Sequence, residues 1–417
     1  MIKGHIHLSP PDVILPQGNF NMNPTNMSQI TPPVKYGFWP TMKEEMLLKA
    51  ALLEGEQAIR AWQKWRANLD TDRLDTASLQ ILPLLYNNLR NHHIEDPAMK
   101  IFKGFYRAFW YKNRLLFHSM ADTLQSFHES GIRTMLLKGA ALTLHYYKDY
   151  GLRSMGDFDV LVPTQQASKA ASVLQKLDYK PIKSSIHEFN RMDYNTIHAY
   201  HFINGNGDTV DLHWHVLHKC LREQSDDDFW NSAIPIKIGN IATHVLNPSD
   251  QLLHICMHSF TSKNFTLNRL RWLADVMIIL KTRQSEIDWN RMLVQVQKRR
   301  MILHLNEVMI YMRDLLNAPI PPEVMLNIQN MTATRIEKME FQFHTIARST
   351  LVGDFPGHWF TYIRLIHSNN NPNILLILLG FPKFLQRRWG LKNFWHLPFV
   401  FIFKGTRKIL IALGVIH

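Results

Sequence analysis

The feature that most constrains the fold is a change in hydrophobic periodicity near residue 131. Before it, apolar residues recur at helical spacing, and this run ends at Ser130-Gly131, a pair typical of a helix C-terminus. After it come short apolar runs of strand length, and helical spacing returns from Pro248 onward. Strands confined to a block of about 85 residues between helical regions predict an α+β protein.

This pattern divides the chain into five predicted regions. Residues 1–40 are rich in Pro, Asn and Met and are expected to form a mobile arm. An N-terminal helical region covers 41–130, and the α/β block covers 131–217. A C-terminal helical domain follows over 218–370, and a basic, apolar segment covers 371–417.

Composition limits the location and the partners. The first twenty residues contain no continuous apolar run, so no signal peptide is expected. With only two cysteines, Cys220 and Cys256, a disulfide scaffold is excluded and a cytoplasmic location is expected. The net charge of +13 favours polyanionic partners such as nucleotides, nucleic acid or an anionic membrane surface. Nucleic acid is the less favoured of these, because no nucleic-acid-binding signature is present, but it stays open.

The segment 371–417 concentrates part of this charge. It holds seven Lys or Arg and no acidic residue, and it contains apolar runs at 374–379 and 399–403. We expect these runs to pack on the α/β block 131–217. Peripheral contact with a membrane surface through this segment is the alternative.

The central block carries the predicted strands. Short apolar runs predict strands at the following places: 132–137, 158–162, 186–192, 196–203 and 209–215. Helices are predicted over 139–147 and 164–177. The Gly- and Asn-rich segment 204–208 predicts a hairpin turn between the last two strands.

Three aspartates in this block form a candidate metal site. Asp157 and Asp159 are two residues apart at the second predicted strand, so their carboxylates share one face. Adjacent buried carboxylates repel each other, and a divalent cation removes that cost; Mg²⁺ is the natural occupant. The hairpin is expected to bring Asp211 beside Asp159 as a third ligand and the candidate general base. Three carboxylates holding two metal ions form the clamp used for in-line phosphoryl transfer.

A candidate phosphate site lies beside these aspartates. Lys138-Gly139 occupies a predicted strand-to-helix junction, where backbone N–H groups are free to bind anions. Gly139 would let phosphates approach the backbone closely, and Lys138 or Arg153 could add positive charge. The residues together predict a site for a triphosphate.

These motifs resemble the DNA polymerase β-type nucleotidyltransferase superfamily. They are most similar to a bacterial branch of uncharacterised nucleotidyltransferases, over roughly residues 40–410. The matching residues are Lys138, Gly139, Arg153, Asp157, Asp159, Asp211, His213 and Trp214. Segments 251–258 and 270–275 also resemble that branch. One departure is Ala140, where many members of the superfamily carry Ser or Gly.

The resemblance implies a polymerase β-like core, Mg²⁺ and a nucleoside triphosphate, with ATP the first candidate. It implies transfer of a nucleoside monophosphate to an acceptor hydroxyl or phosphate, with release of pyrophosphate. The acceptor is open and includes small molecules, glycans, peptides and proteins. Two alternatives are a non-catalytic binding protein that keeps the fold and a kinase-like transfer of the γ-phosphate.

Other polar clusters have simpler interpretations. His213 and His215 share a strand face with Asp211, and packed or hydrogen-bonded roles are favoured over contact with metal or substrate. Asp226-Asp-Asp228 predicts a solvated helix start rather than a metal cluster.

Two further pairs lie on predicted helices. His254 and His258 are four residues apart, a spacing that can bind Zn²⁺, but no third ligand is evident. Packing, or a contact to the nucleotide from the helical domain, is favoured. Arg271 and Asp275 predict an i, i+4 ion pair, with Arg271 over the cleft as the alternative.

Overall fold

The computed structural model describes residues 39–182, 186–261, 265–347, 355–366 and 374–400. These residues belong to one compact unit, Lys35–His417. The predictions for almost all of the N-terminal arm and for the last residues of the basic segment lie outside the described residues.

Among the described residues, five α-helices precede the sheet: α1 (Met42–Leu52), α2 (Gly55–Arg66), α3 (Thr76–Leu79), α4 (Leu82–Asn91) and α5 (Met99–Glu129). Helix α1 begins at a capping box, in which Thr41 Oγ1 accepts from Glu44 N–H and Glu44 Oε2 accepts from Thr41 N–H. Helix α5 ends at Glu129 with Ser130 as its C-cap, and Gly131 follows with φ of 66°. The predicted C-terminus of this helix is therefore confirmed.

A seven-stranded mixed sheet forms the centre of the fold. Its strands are β1 (Met135–Leu136), β2 (Phe158–Leu161), β3 (Lys180–Pro181), β4 (Ala199–Ile203), β5 (Thr209–His213), β6 (Ile234–Ile238) and β7 (Ile241–Val245). The spatial order is β3-β4-β5-β2-β1-β7-β6. The β2–β5 and β1–β7 pairs are parallel, whereas the other pairs are antiparallel. The predicted α+β class and the β4–β5 hairpin are confirmed.

Short helices connect these strands: α6 (Lys138–Leu142), α7 (Ala167–Lys176), α8 (Ile186–Arg191) and α9 (Asp227–Asn231). A π-helical turn, Thr143–Tyr147, continues α6. The strand predicted over 186–192 is wrong, since α8 occupies it. This helix buries Phe189 in edge-on contact with Tyr200 and Phe202 of β4. A single aromatic side chain therefore anchors the segment, and the alternating apolar face of a strand is not required.

The β6–β7 hairpin was missed, because its residues fall in the region 218–370 that the sequence predicts to be helical. Its turn is Gly239-Asn240, with Gly239 at φ of 57°, a recognised hairpin signal. The sheet therefore extends beyond the predicted block 131–217, although the division into domains stays a prediction.

In the part of the chain that the structure describes, eight α-helices follow the sheet: α10 (Pro248–Thr261), α11 (Phe265–Thr282), α12 (Trp289–Lys298), α13 (Ile302–Leu316), α14 (Pro322–Asn330), α15 (Arg335–Ala347), α16 (Phe355–Ile366) and α17 (Ile374–Arg388). One apolar core joins α1, α2 and α4 to α10, α11 and α13, and a second packs α5 and α7 on the sheet. No helix in the described ranges is both long and apolar enough to cross a bilayer.

The C-terminal helices form a third, smaller apolar cluster. Phe384 and Leu385 of α17 pack with Tyr362 of α16, outside the two apolar runs. Packing of those runs on the α/β block stays a prediction. By contrast, Leu379 and Trp395 are exposed.

Candidate active site

Three neighbouring strands place polar side chains in one row across the sheet. In register, Asp211 on β5 lies opposite His201 on β4 and opposite Asp159 on β2. Residues paired across neighbouring strands point to the same face, so these three side chains lie together. Asp157 stands one residue before β2, and its carboxylate lies within 4.8 Å of the ligand atoms of His201 and Asp211. The structure thus brings the three predicted aspartates together.

Sequence reasoning missed His201. A signal was present, because residues 201 and 211 lie at equal distances from Asn206, the centre of the predicted hairpin turn. In an antiparallel hairpin such residues form a cross-strand pair.

Lys138 lies against the carboxylates. Its Nζ is 2.6 Å from Asp159 Oδ1 and 3.5 Å from Asp211 Oδ2. It is also 3.3 Å from Nε2 of His213. Its backbone φ is 43°, a left-handed conformation that costs a non-glycine residue of order 1 kcal/mol. The lysine predicted to bind phosphate therefore forms ion pairs with two of the three aspartates.

The protonation of the site follows from burial and charge together. Burial opposes ionisation of Asp159 and Asp211, but the ammonium of Lys138 and the imidazole of His213 outweigh it and hold the pKa of both carboxyls below the ordinary value. The pKa of Asp157 is raised, mainly by repulsion from the Asp159 carboxylate and also by burial. For Lys138, burial is outweighed by Asp159 and Asp211, so the pKa of its ammonium is raised.

Arg153 has a different environment from the one predicted. Its Nε donates to Asp275 Oδ1 at 2.8 Å and its Nη2 donates to Asp275 Oδ2 at 2.9 Å. Tyr147 donates its hydroxyl to the same Oδ1 at 2.8 Å. These buried groups join the sheet block to α11.

Gly139 lies directly against this ion pair. A Cβ at Gly139 would stand 2.7 Å from Nη1 of Arg153 and 3.0 Å from Cγ of Met155. The absence of a side chain at 139 is therefore required by protein packing, whether or not a phosphate also approaches.

Arg271 lies beside the same turn. Its Nη1 donates to the carbonyl oxygen of Ser154 at 3.1 Å, whereas the Asp275 carboxylate binds Arg153 and Tyr147. The predicted ion pair between Arg271 and Asp275 is therefore wrong, because the buried Arg153 takes both carboxylate oxygens. Burial and the neighbouring Arg153 lower the pKa of Arg271 to about 10, while Asp157 is among the groups that raise it.

The strand histidines are hydrogen-bonded, as expected. His213 Nε2 lies 2.9 Å from Asp211 Oδ2 and 3.2 Å from Asp159 Oδ1. His215 Nδ1 lies 2.6 Å from Asp226 Oδ2. Asp226 precedes α9 as predicted, but it is buried rather than solvated, because it binds His215 and the backbone N–H of Val216.

The helix histidines His254 and His258 lie next to each other on α10. His254 is fully buried, and burial, with Lys138 next in effect, lowers its pKa to about 3. The rings of His254 and His258 are 6.0 Å apart. Among the described residues, neither belongs to a group of three or more side chains that could share an ion. This agrees with the favoured packing role.

The carboxylates fit a divalent cation. Two groups of three ligand atoms share Asp211: Asp157, His201 and Asp211, and Asp159, Asp211 and His213. Oδ1 of Asp211 is buried and accepts no hydrogen bond within the described part of the chain. An acceptor of this kind beside two more oxygen or nitrogen ligands is suited to a cation.

The fold and the site define an α+β protein with a buried cluster of carboxylates, lysine and histidine on its central sheet. The chain belongs to a family described as uncharacterised nucleotidyltransferases, whose profile matches residues 76–317, more than half of the chain. This range contains the whole site.

Other comparisons add less. A crystal structure of an antigenic nucleotidyltransferase-like protein from Paracoccidioides brasiliensis is similar at 14% identity and a TM-score of 0.31. The similarity covers 51% of this chain and 96% of that one. No curated protein matches the chain.

Proposed function

We propose that this protein is a divalent-cation-dependent nucleotidyltransferase. It would move a nucleoside monophosphate from a nucleoside triphosphate to a hydroxyl or phosphate acceptor and release pyrophosphate. The observation that carries the proposal is the convergence of Asp157, Asp159 and Asp211 at β2 and β5, with Asp157 just before β2, in a chain that belongs to a nucleotidyltransferase family. A polymerase β-like core, two Mg²⁺ ions, ATP and a cytoplasmic location are parts of the same proposal.

The carboxylates would hold the cations, since burying unpaired carboxylates without a partner is costly. When bound, such cations neutralise charge on a triphosphate and lower the pKa of an attacking hydroxyl. The acceptor oxygen would form a bond to the α-phosphorus as the bond from that phosphorus to the β-phosphate oxygen breaks. Asp211 is our candidate to accept the proton of the acceptor hydroxyl.

Four residues would form the phosphate side of the site: Lys138, Gly139, Arg153 and Arg271. Lys138 lies so close to the carboxylates that its ammonium could contact the phosphates of a triphosphate bound there. Arg153 would act mainly by holding its turn in place, because its Nε and Nη2 already donate to Asp275. Arg271 lies at the Ser154 turn and has no carboxylate bonded to it among the described residues, so its charge is available to an anion.

Labelled nucleotides test this function. The protein is incubated with a divalent cation, a cell extract and nucleoside triphosphates labelled at the α- or the γ-phosphate, and labelled products are identified by mass. Transfer of the α-label, lost in Asp159→Asn, supports nucleotidyl transfer and identifies the acceptor. Transfer of the γ-label would instead establish the kinase-like alternative. Absence of transfer in every extract, with nucleotide binding intact, would favour a non-catalytic binding protein.

A further inference from the structure

The two carboxylate oxygens of Asp211 have unlike surroundings. Oδ2 lies 2.9 Å from His213 Nε2 and 3.5 Å from Lys138 Nζ. Oδ1 is buried, accepts no hydrogen bond from any described residue, and has His201 Nδ1 3.6 Å away. A buried acceptor without a partner is destabilising. Oδ2 of Asp211 therefore has partners within the protein, whereas Oδ1 is available to a ligand.

We propose that the nucleotide-free protein binds one divalent cation between Asp157, Oδ1 of Asp211 and the imidazole of His201, while the ammonium of Lys138 holds the neighbouring place between Asp159 and Asp211. The purpose of this cation rests on the proposed function. Its binding does not, because it requires neither nucleotide nor acceptor.

The distances suit this assignment. A cation about 2.1 Å from each ligand accommodates two ligand atoms from about 3.0 to about 4.2 Å apart, depending on the angle between them. The separation of 3.6 Å between His201 Nδ1 and Asp211 Oδ1 falls within that interval. The atoms of Asp157, His201 and Asp211 lie within 4.8 Å of one another. The His201 side chain is 40% exposed, so a cation and its remaining water ligands can reach the site.

The neighbouring place already holds a positive charge. At 2.6 Å from Asp159 and 3.5 Å from Asp211, Lys138 Nζ lies where a cation shared by these carboxylates would bind. A second ion must displace this ammonium. The oxygens of a triphosphate would attract Lys138 away from the carboxylates, so the second place opens when nucleotide binds. One ion is expected without nucleotide and two are expected with it.

The ligand set also selects the metal. Mg²⁺ prefers oxygen ligands and retains water, whereas imidazole suits transition metals. Two carboxylates with one imidazole should therefore bind Mn²⁺ more tightly than Mg²⁺ in the nucleotide-free protein.

The test titrates the metal-free, nucleotide-free protein with MnCl₂ by calorimetry and records the electron spin echo spectrum of bound Mn²⁺. We expect one ion per chain, tighter binding than for MgCl₂, and coupling to a ligand nitrogen. His201→Gln should remove that coupling and weaken binding at least about tenfold, since even outer-shell changes cost that much. His118→Gln, an exposed histidine on α5, is the matched control and should change neither.

Lys138→Met gives an independent check. Removal of the ammonium should raise the number of Mn²⁺ ions bound without nucleotide from one to two. Two ions on the wild-type protein, or binding and nitrogen coupling unchanged in His201→Gln, would overturn the inference. Either result would leave nucleotidyl transfer itself untouched, whereas failure of transfer with metal binding as described would overturn only the proposed function.

Discussion

Arg153 and Asp275 form a bidentate, buried ion pair that joins the turn before β2 to helix α11. The pair orients the turn that carries Ser154, and the carbonyl oxygen of Ser154 accepts a hydrogen bond from Arg271. The aspartates of the sheet and the arginine of α11 are thereby held in one arrangement.

Breaking this ion pair should be costly. Asp275→Asn leaves the buried guanidinium of Arg153 without its counter-charge, and we expect a loss of about 3–5 kcal/mol in the free energy of unfolding. Urea denaturation measures it. Asp314→Asn breaks the more exposed pair with Arg313 and should change stability by less than about 1 kcal/mol. Equal effects of the two substitutions would contradict the structural role of Asp275.

Gly139 should tolerate no side chain. In Gly139→Ala the new Cβ meets Arg153 Nη1 at 2.7 Å and Met155 Cγ at 3.0 Å, so both side chains must move. We expect a loss of about 1–3 kcal/mol in thermal or chemical unfolding. Gly104→Ala lies within α5 in open space and should gain about 0.5–1 kcal/mol. A neutral Gly139→Ala would show that this contact is not constraining.

His254 should make the protein less stable in mild acid. Its pKa is about 3 in the folded protein, against about 6.5 when unfolded, so the unfolded chain binds the extra proton first as pH falls below about 6.5. The stability present above that pH is lost on acidification at about 1.4 kcal/mol per pH unit.

Denaturation of metal-free protein between pH 7 and pH 5 measures this loss. We expect His254→Leu to lose less stability than wild type across the interval, by roughly 2 kcal/mol at pH 5. His118→Leu, on the exposed face of α5, should keep the wild-type slope. The same slope in His254→Leu and in wild type would mean that the pKa of His254 is not lowered in the folded protein.

Arg271 should contribute to nucleotide binding. A charge-assisted hydrogen bond to phosphate is worth about 1.5–3 kcal/mol, so Arg271→Ala should weaken binding of a non-hydrolysable triphosphate about tenfold to hundredfold. Calorimetry with a divalent cation measures the affinity. Lys176→Ala removes one exposed cation from the end of α7 and should have no effect. Unchanged affinity in Arg271→Ala would exclude Arg271 from the phosphate side.

The local part of the site was predictable from the sequence. Strand periodicity places Asp157 and Asp159 at one short apolar strand, and the turn at 204–208 pairs Asp211 with His201. Asp211 comes beside Asp159 through the parallel pairing of β5 with β2, which the hairpin alone does not determine. The same reasoning identifies His201, because its separation in sequence from the centre of the turn equals that of Asp211.

The long-range part was not predictable in this way. Arg153 and Asp275 are 122 residues apart, and nothing in either local pattern shows that they meet. The prediction of an i, i+4 pair between Arg271 and Asp275 failed because a buried arginine from the sheet block binds that carboxylate more completely. The β6–β7 hairpin was a local miss, since its Gly239-Asn240 turn is a recognised hairpin signal, whereas its pairing with β1 is a long-range contact.

Metal-dependent nucleotide binding tests the central claim most directly, because it needs no acceptor. The affinity for a non-hydrolysable triphosphate analogue is measured by calorimetry with and without a divalent cation, for wild type and for Asp211→Asn. We predict tight binding only with the cation, and loss of that dependence in Asp211→Asn. Binding that is equally tight without a cation, or that is unchanged in Asp211→Asn, would contradict a site in which the aspartates hold the nucleotide through metal.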